Sequence, residues 1–214
     1  MSEHMALENL TVLDLTRVLA GPFCTMMLAD MGANVIKIEV PKGGDDTRTY
    51  PPFRAKNLNG ERESVYFANI NRNKKGITLN LKAPEGKEIF KELVKKADIV
   101  VENYRPGVMD KLGLGYDVLK EINPRIIYAA VSGFGCYGPY HLRPGYDILA
   151  QAMGGMMSIT GSKGGEPTRA GSALGDILGG LHVTIGILAA VNARTITGKG
   201  QRVDVSLMDS MIAA

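Results

Sequence analysis

The residue best placed for chemistry is Asp176, in the run Gly171-Ser-Ala-Leu-Gly175-Asp176-Ile-Leu-Gly179-Gly180. Glycines on both sides let a ligand come close to the backbone, and an apolar helix follows. Two uses fit an acid there. It can be an ordinary first-turn carboxylate that helix starts favour, or a carboxylate held ionised by the helix dipole and free to attack an electrophile. A second motif, Gly133-Phe-Gly135-Cys-Tyr-Gly138, has the spacing of a dinucleotide fingerprint. Pro139 follows at once, however, so the helix N-terminus that would hold a pyrophosphate is missing, and so is an acid about twenty residues on. The motif reads instead as a turn where backbone approaches something closely. Gly21-Pro22 at a helix start, with Glu39 closing the next strand, is another nucleotide candidate, but ordinary α/β packing accounts for the same residues. Lys74, Lys75, Lys82, Lys87, Lys91 and Lys95 form a basic band. Its helix lysines read as a solvated face, whereas Lys75 and Lys82 flank a strand and are better placed to meet a phosphorylated ligand. His141 and His182 have no second ligand at a useful spacing, so no metal site is expected, and His182 reads as a core histidine.

These residues need a frame. Thr11 to Leu15 reads as a buried strand, and Pro22 suits the first turn of a helix over Phe23 to Met31. Asn34 to Glu39 is the next strand. Pro41 to Asn73 reads as a long loop with a short helical piece near Val65 to Ala68. Gly76 to Leu81 alternates like a strand, and Pro84 opens a helix to Lys96 whose buried stripe is Ile89, Phe90, Leu93 and Val94. Strands at Asp98 to Glu102 and Arg125 to Val131 bracket two short helices, Pro106 to Leu112 and Tyr116 to Ile122. Beyond them come a helix over Tyr146 to Met153, a strand over Met156 to Thr160 and a loop to Gly171. A long helix reaches Thr195, then a strand runs over Gln201 to Leu207, and a helix begins at Asp209. This order predicts an α/β fold of Rossmann-like type, a largely parallel sheet flanked by helices.

Composition narrows the function classes. The chain has 214 residues and a formal charge of +3, too mild for a surface that tracks nucleic acid phosphates. The apolar stretch from Val183 to Val191 is too short to span a bilayer, so no membrane partner is expected. Cys24 and Cys136 lie far apart without a C-x-x-C pattern, which suits structural thiols and a cytoplasmic location.

Several motifs together resemble family III CoA-transferases. They are Leu13-Asp-Leu15, Ala20-Gly-Pro22 and Leu28-Ala-Asp30-Met-Gly-Ala-Asn-Val-Ile-Lys-Ile-Glu39, then Asn71-Arg-Asn-Lys-Lys-Gly76 and Ala97-Asp-Ile-Val-Val-Glu-Asn103-Tyr-Arg-Pro-Gly107. Asn123-Pro-Arg125, Gly133-Phe-Gly135, Pro144-Gly-Tyr-Asp147, Gly175-Asp176 and Thr197-Gly-Lys-Gly-Gln201 continue the match. The resemblance covers nearly all of the chain after Ala6. It implies acyl-CoA and a small carboxylic acid as substrates, with coenzyme A a substrate and no cofactor held permanently. It makes Asp176 the nucleophile, passing through a mixed anhydride and an aspartyl-CoA thioester. It places CoA contacts at Leu19, Ala20, Leu79, Lys82, Asn103, Tyr104, Arg105, Lys111, Arg143 and Tyr146. Where some relatives have a basic residue after the second strand this chain has Val40, and Arg48 is the expected replacement.

Racemases and epimerases of the same superfamily carry a His within the Gly-x-Asp step as their acid/base. Here the step is Gly145-Tyr146-Asp147, and a phenol is a poor base at neutral pH, so CoA transfer is expected over α-proton exchange. A third alternative is a CoA-binding fragment without turnover. The resemblance also implies length. Relatives are longer, and their remaining chain forms a smaller domain that completes a ring-like subunit, two of which interlock as a homodimer. Residues 1–214 are therefore expected to be the large CoA-binding domain, with the smaller domain absent, in a homodimer or with a partner chain that supplies the missing half.

Overall fold

The computed structural model describes residues 4–54, 60 and 62–214. Its sheet is built from short runs of apolar, mostly β-branched residues, such as Ile-Val-Val-Glu at Ile99–Glu102, where all four are buried. Such runs, covered on both faces, are the mark of parallel strands. In chain order the sheet strands are β1 (Thr11–Asp14), β2 (Asn34–Glu39), β5 (Lys75–Thr78), β6 (Ile99–Glu102), β7 (Ile127–Ser132) and β8 (Arg202–Ser206). A separate antiparallel pair is formed by β3 (Phe53–Arg54) and β4 (Glu63–Ser64). The main sheet has the order β5-β2-β1-β6-β7-β8 and every pairing in it is parallel.

Helices cover both faces. On one, α1 (Ala20–Asp30), α7 (Leu174–Thr197) and α8 (Leu207–Ile212) pack onto a core that includes Val12, Cys24, Leu28, Ile99, Val183 and Ile187. On the other, α3 (Pro84–Val94), α4 (Val108–Leu112) and α5 (Tyr116–Ile122) cover Leu13, Leu15, Val100, Ile126 and Tyr128. Two further helices, α2 (Val65–Ile70) and α6 (Asp147–Met153), border the cavity described below. The α/β expectation holds, with an entirely parallel main sheet.

The structure departs from the sequence reading in four places. Met156–Ile159 is a 3-10 turn after the left-handed Gly155, not a strand. In α3, Phe90 and Val94 are buried while Ile89 is 52% exposed, so the buried stripe is narrower than the pattern suggested. The long loop carries a 3-10 turn (Asp46–Thr49), the β3–β4 pair and α2; its residues 55–59 and 61 lie outside the described residues. Helix α7, at 24 residues, is also long and apolar enough to cross a membrane by length and composition. Here its Gly179, Val183, Ile187 and Ala190 recur on one side and bury against the sheet, as in a core helix.

Candidate active site

Strands β1 and β2 lead the chain to one side of β1, and β6 starts again on the other. Ligands of open α/β sheets bind outside the carboxyl ends of the strands at such a switch point. A cavity of about 1080 Å³ opens there. Its walls are the segments that leave the strands: Arg17 to Ala20 after β1, Glu39 to Pro41 at the end of β2, Leu79 to Lys82 after β5 and Asn103 to Pro106 after β6. Val131 to Gly133, Arg143 to Tyr146 and Asp176 close it.

Local chemistry explains each wall. Asn103 donates from its side-chain amide to the Arg17 carbonyl at 2.7 Å and accepts the Arg17 N–H at 2.8 Å, joining the loops after β1 and β6. Beneath the second of these, Glu102 is buried and accepts the Tyr104 N–H at 2.7 Å and the Tyr128 hydroxyl at 3.2 Å. Burial pushes its carboxyl up to about 7, against the pull of those two donors and of Arg202. Gly133 and Gly145 bring the Gly-rich turn against the segment before α6. A Cβ on Gly133 would lie 2.3 Å from the Gly145 Cα, so only two glycines allow the approach. Gly180 does the same for the crossing of α7 and α1, where a Cβ would meet the Ala20 carbonyl at 2.7 Å.

Asp176 sits in the first turn of α7, whose start has no side-chain cap. The N–H of Gly175 is instead accepted by Asp147 Oδ1 at 2.8 Å. Asp147, 7% exposed at the start of α6, also takes two hydrogen bonds from Gln151 and pairs with Arg169 at 3.1 Å. The buried Gln151 in turn accepts the Ala170 N–H at 2.9 Å and donates to the Ser172 carbonyl at 3.2 Å. Two side chains of α6 thus fix the segment that delivers Asp176. Burial first, and the Asp147 charge second, push the Asp176 carboxyl up to about 6, with Arg169 opposing them. The group is still mostly ionised at pH 7, but less readily than a first-turn position alone would make it. Tyr66 on α2 is close enough to feel it. Burial and then the Asp176 charge raise its hydroxyl to about 12. Tyr66 meets Tyr50, a cavity residue, edge-on at 5.8 Å.

Most residues expected from the sequence converge here. Leu19, Ala20, Leu79, Lys82, Asn103, Tyr104, Arg105, Arg143, Tyr146 and Asp176 all line the cavity. Lys111, exposed on α4, is not among the lining residues. Arg48 does not replace a phosphate contact. Its guanidinium is committed to Glu39 at 2.8 and 2.6 Å and lies over the Phe67 ring. The same pairing occupies Glu39, which counts against the nucleotide site that Gly21-Pro22 and Glu39 could have formed, where this acid would hold the ribose. Arg17, which sequence reasoning passed over, lines the cavity and pairs with Asp46 at its rim. Asp147, Gln151 and Arg169 were also missed as a group; the spacing of 147 and 151 on one helix face was the available signal. Lys74, the first lysine of the basic band, has its side chain buried and paired with Asp14 at 3.0 Å. The Gly-rich turn is followed by no helix until α6, which removes the dinucleotide reading. Among the described residues no three His, Cys, Asp or Glu side chains gather as metal ligands.

Comparison with known proteins bears on this geometry. The profile described as CoA-transferase family III matches residues 7–214. An acetyl-CoA:oxalate CoA-transferase of Acetobacter aceti is 50% identical over 96% of this chain and 52% of its own length. Human succinyl-CoA:glutarate CoA-transferase is 47% identical over 100% of this chain and 48% of its own. A crystal structure of a CaiB/BaiF family protein from Brucella suis superposes with a TM-score of 0.95 at 46% identity, covering 99% of this chain and 56% of that one. The chain thus spans about half the length of the relatives it matches. A parallel sheet whose switch-point cavity gathers cations and one raised aspartate, together with a family match along nearly its whole length, makes this chain a member of CoA-transferase family III.

Proposed function

We propose that this chain carries the CoA site and the nucleophile of an enzyme that moves CoA from an acyl-CoA to a free carboxylic acid. One observation carries the reading: the Asp176 carboxylate lines the same cavity as Lys82, Arg105 and Arg143. Cations suit the phosphates of CoA, and a fixed carboxylate beside them suits attack on the thioester. In the first step Asp176 attacks the donor thioester carbonyl. The C–S bond breaks, CoA leaves as thiolate and a mixed anhydride forms. The thiolate then attacks the aspartyl carbonyl, giving an aspartyl-CoA thioester and releasing the donor acid. The acceptor carboxylate reverses both steps, leaving a new acyl-CoA and free Asp176. The anhydride keeps the acyl group activated throughout, so the exchange needs no outside energy source. The relatives named above act on oxalate and glutarate, which suggests a small acid as acceptor. A homodimer in the cytoplasm completes the reading. Tyr146 offers a phenol at the step where α-proton exchange would need a base, which favours transfer over racemisation.

The test is mass spectrometry after incubation with an acyl-CoA. A CoA-sized addition is expected on the peptide that holds Asp176, and none in Asp176→Asn. The same adduct in Asp176→Asn would remove the assignment. CoA binding without any adduct in the parent protein would instead leave a binding unit without turnover.

A further inference from the structure

Val18 lines the cavity with a backbone φ of 67°. For a β-branched residue this left-handed conformation is costly, because Cβ crowds the following carbonyl. Such a conformation persists only where its surroundings over-determine it. Here the surroundings are buried charges. Lys37 on β2, 2% exposed, donates to the Thr16 carbonyl at 2.9 Å and pairs with Asp45 at 3.0 Å. Asp45, 1% exposed, accepts the Val18 N–H at 3.3 Å and the Thr47 N–H and hydroxyl at 3.0 and 2.8 Å. A second pair ties down the two ends of the segment. Asp14 accepts the Thr16 N–H at 2.9 Å and pairs with Lys74, which donates to the Pro22 carbonyl at 3.0 Å. None of these four charged residues lines the cavity. A buried ion pair is weak as a stabiliser, since desolvation offsets its Coulomb gain and apolar residues of the same shape serve stability as well. Two pairs converging on one strained segment call for another role.

We propose that the Lys37–Asp45 pair is a positioning device that holds Val18 left-handed, so that residues 16–20 present the wall on which CoA binds. Asp45 supplies the acceptor at the strained N–H. Lys37 fixes Asp45 and anchors the carbonyl two residues earlier. Both act through Val18. That the occupant is CoA rests on the function proposed above; the clamp does not.

The experiment replaces the pair as a unit, Lys37→Met with Asp45→Leu, so that no lone charge is left buried. Amide hydrogen exchange reads residues 16–20, and calorimetry reads CoA. Exchange at residues 16–20 is expected to quicken at least about tenfold with β6 and β7 unchanged, and CoA binding to weaken about tenfold. Adding Val18→Gly, which takes positive φ freely, restores most of that affinity, a rescue that a merely structural pair would not show. Val18→Gly alone guards against a pair variant that does not fold. Strain at position 18 requires it to melt no lower than the parent protein, and a lower midpoint overturns the proposal. Unchanged exchange at residues 16–20 in the pair variant overturns it too, whatever CoA does. Quickened exchange in a protein that never bound CoA keeps the clamp and removes the CoA reading.

Discussion

The attack proposed for Asp176 requires an ionised carboxylate, and the surroundings of Asp176 make ionisation harder. Burial is the larger cause and the Asp147 carboxylate the next, which together place its titration at about 6. Below that value the carboxyl is protonated and is no nucleophile, so the rate of aspartyl-thioester formation should fall as the pH drops through about 6. An ordinary surface aspartate would hold its rate well below that. Asp147→Asn removes the second cause while keeping an Oδ1 that can accept the Gly175 N–H. The acid limb of the rate profile should therefore move to lower pH and stay above the ordinary aspartate range, because burial is untouched. Rates of adduct formation measured across pH in both proteins check this. A limb that does not move in Asp147→Asn would remove Asp147 from the electrostatics of the site. The same residue can be read as a structural hub, since it also caps the start of α7 and pairs with Arg169. The two roles are compatible: a carboxylate that positions its neighbour's backbone is necessarily close enough to raise its neighbour's pKa.

At the scale of the elements, close approach rather than propensity assembles the site. The Gly-rich turn after β7 touches the segment before α6 through Gly133 and Gly145. Adding one methyl at Gly133 puts it 2.3 Å from a backbone atom that cannot swing aside. Gly133→Ala should destabilise the fold by more than about 2 kcal/mol and weaken CoA binding by displacing Tyr146. Gly76→Ala on the edge strand β5, where nothing lies within 4 Å, is the control and should cost little. Denaturant unfolding of both variants, with calorimetry for CoA, decides the matter. This also shows what a sequence can and cannot carry. The motif's glycines announced close backbone approach, but not which backbone, because that partner is fixed by tertiary geometry. The strands and most helices followed from buried β-branched runs, from Pro at helix starts and from Gly at helix ends. Ile89 did not, since helical periodicity places it beside Phe90 and only the angle of α3 on the sheet leaves it out. Lys74 and Arg48 misled for one shared reason. A side chain's charge is legible in the sequence but its partner is not, and Asp14 and Glu39 take the two cations through tertiary contacts. The cavity residues were legible through family motifs; Arg17, Asp147 and Arg169 lay within or beside those motifs, but their roles depend on partners far away in sequence.

For the whole molecule, the formal charge of +3 says little, because the charges are not spread evenly. Lys82, Arg105 and Arg143 line the cavity, and among the described residues none of them forms an ion pair with a carboxylate. Arg143 instead rests its guanidinium 4.2 Å from the centre of the Tyr140 ring. Lys91 on α3 and Lys95 at its end behave differently, each paired with a glutamate one turn away, Glu88 and Glu92. So three cations without a carboxylate partner face the switch-point cavity together. A ligand that carries phosphates there should be held partly by long-range attraction, which salt weakens as the Debye length shrinks from about 10 Å at 0.1 M to 3 Å at 1 M. Calorimetric Kd for CoA should therefore rise with salt by about tenfold over that range, while pantetheine, which has the thiol arm without the phosphates, should bind weakly and with little salt dependence. Arg105→Ala should flatten the salt dependence for CoA and leave that for pantetheine unchanged. A CoA affinity indifferent to salt would mean that these cations do not meet the phosphates, and that the ligand lies along the apolar wall of Leu79 and Leu81 instead.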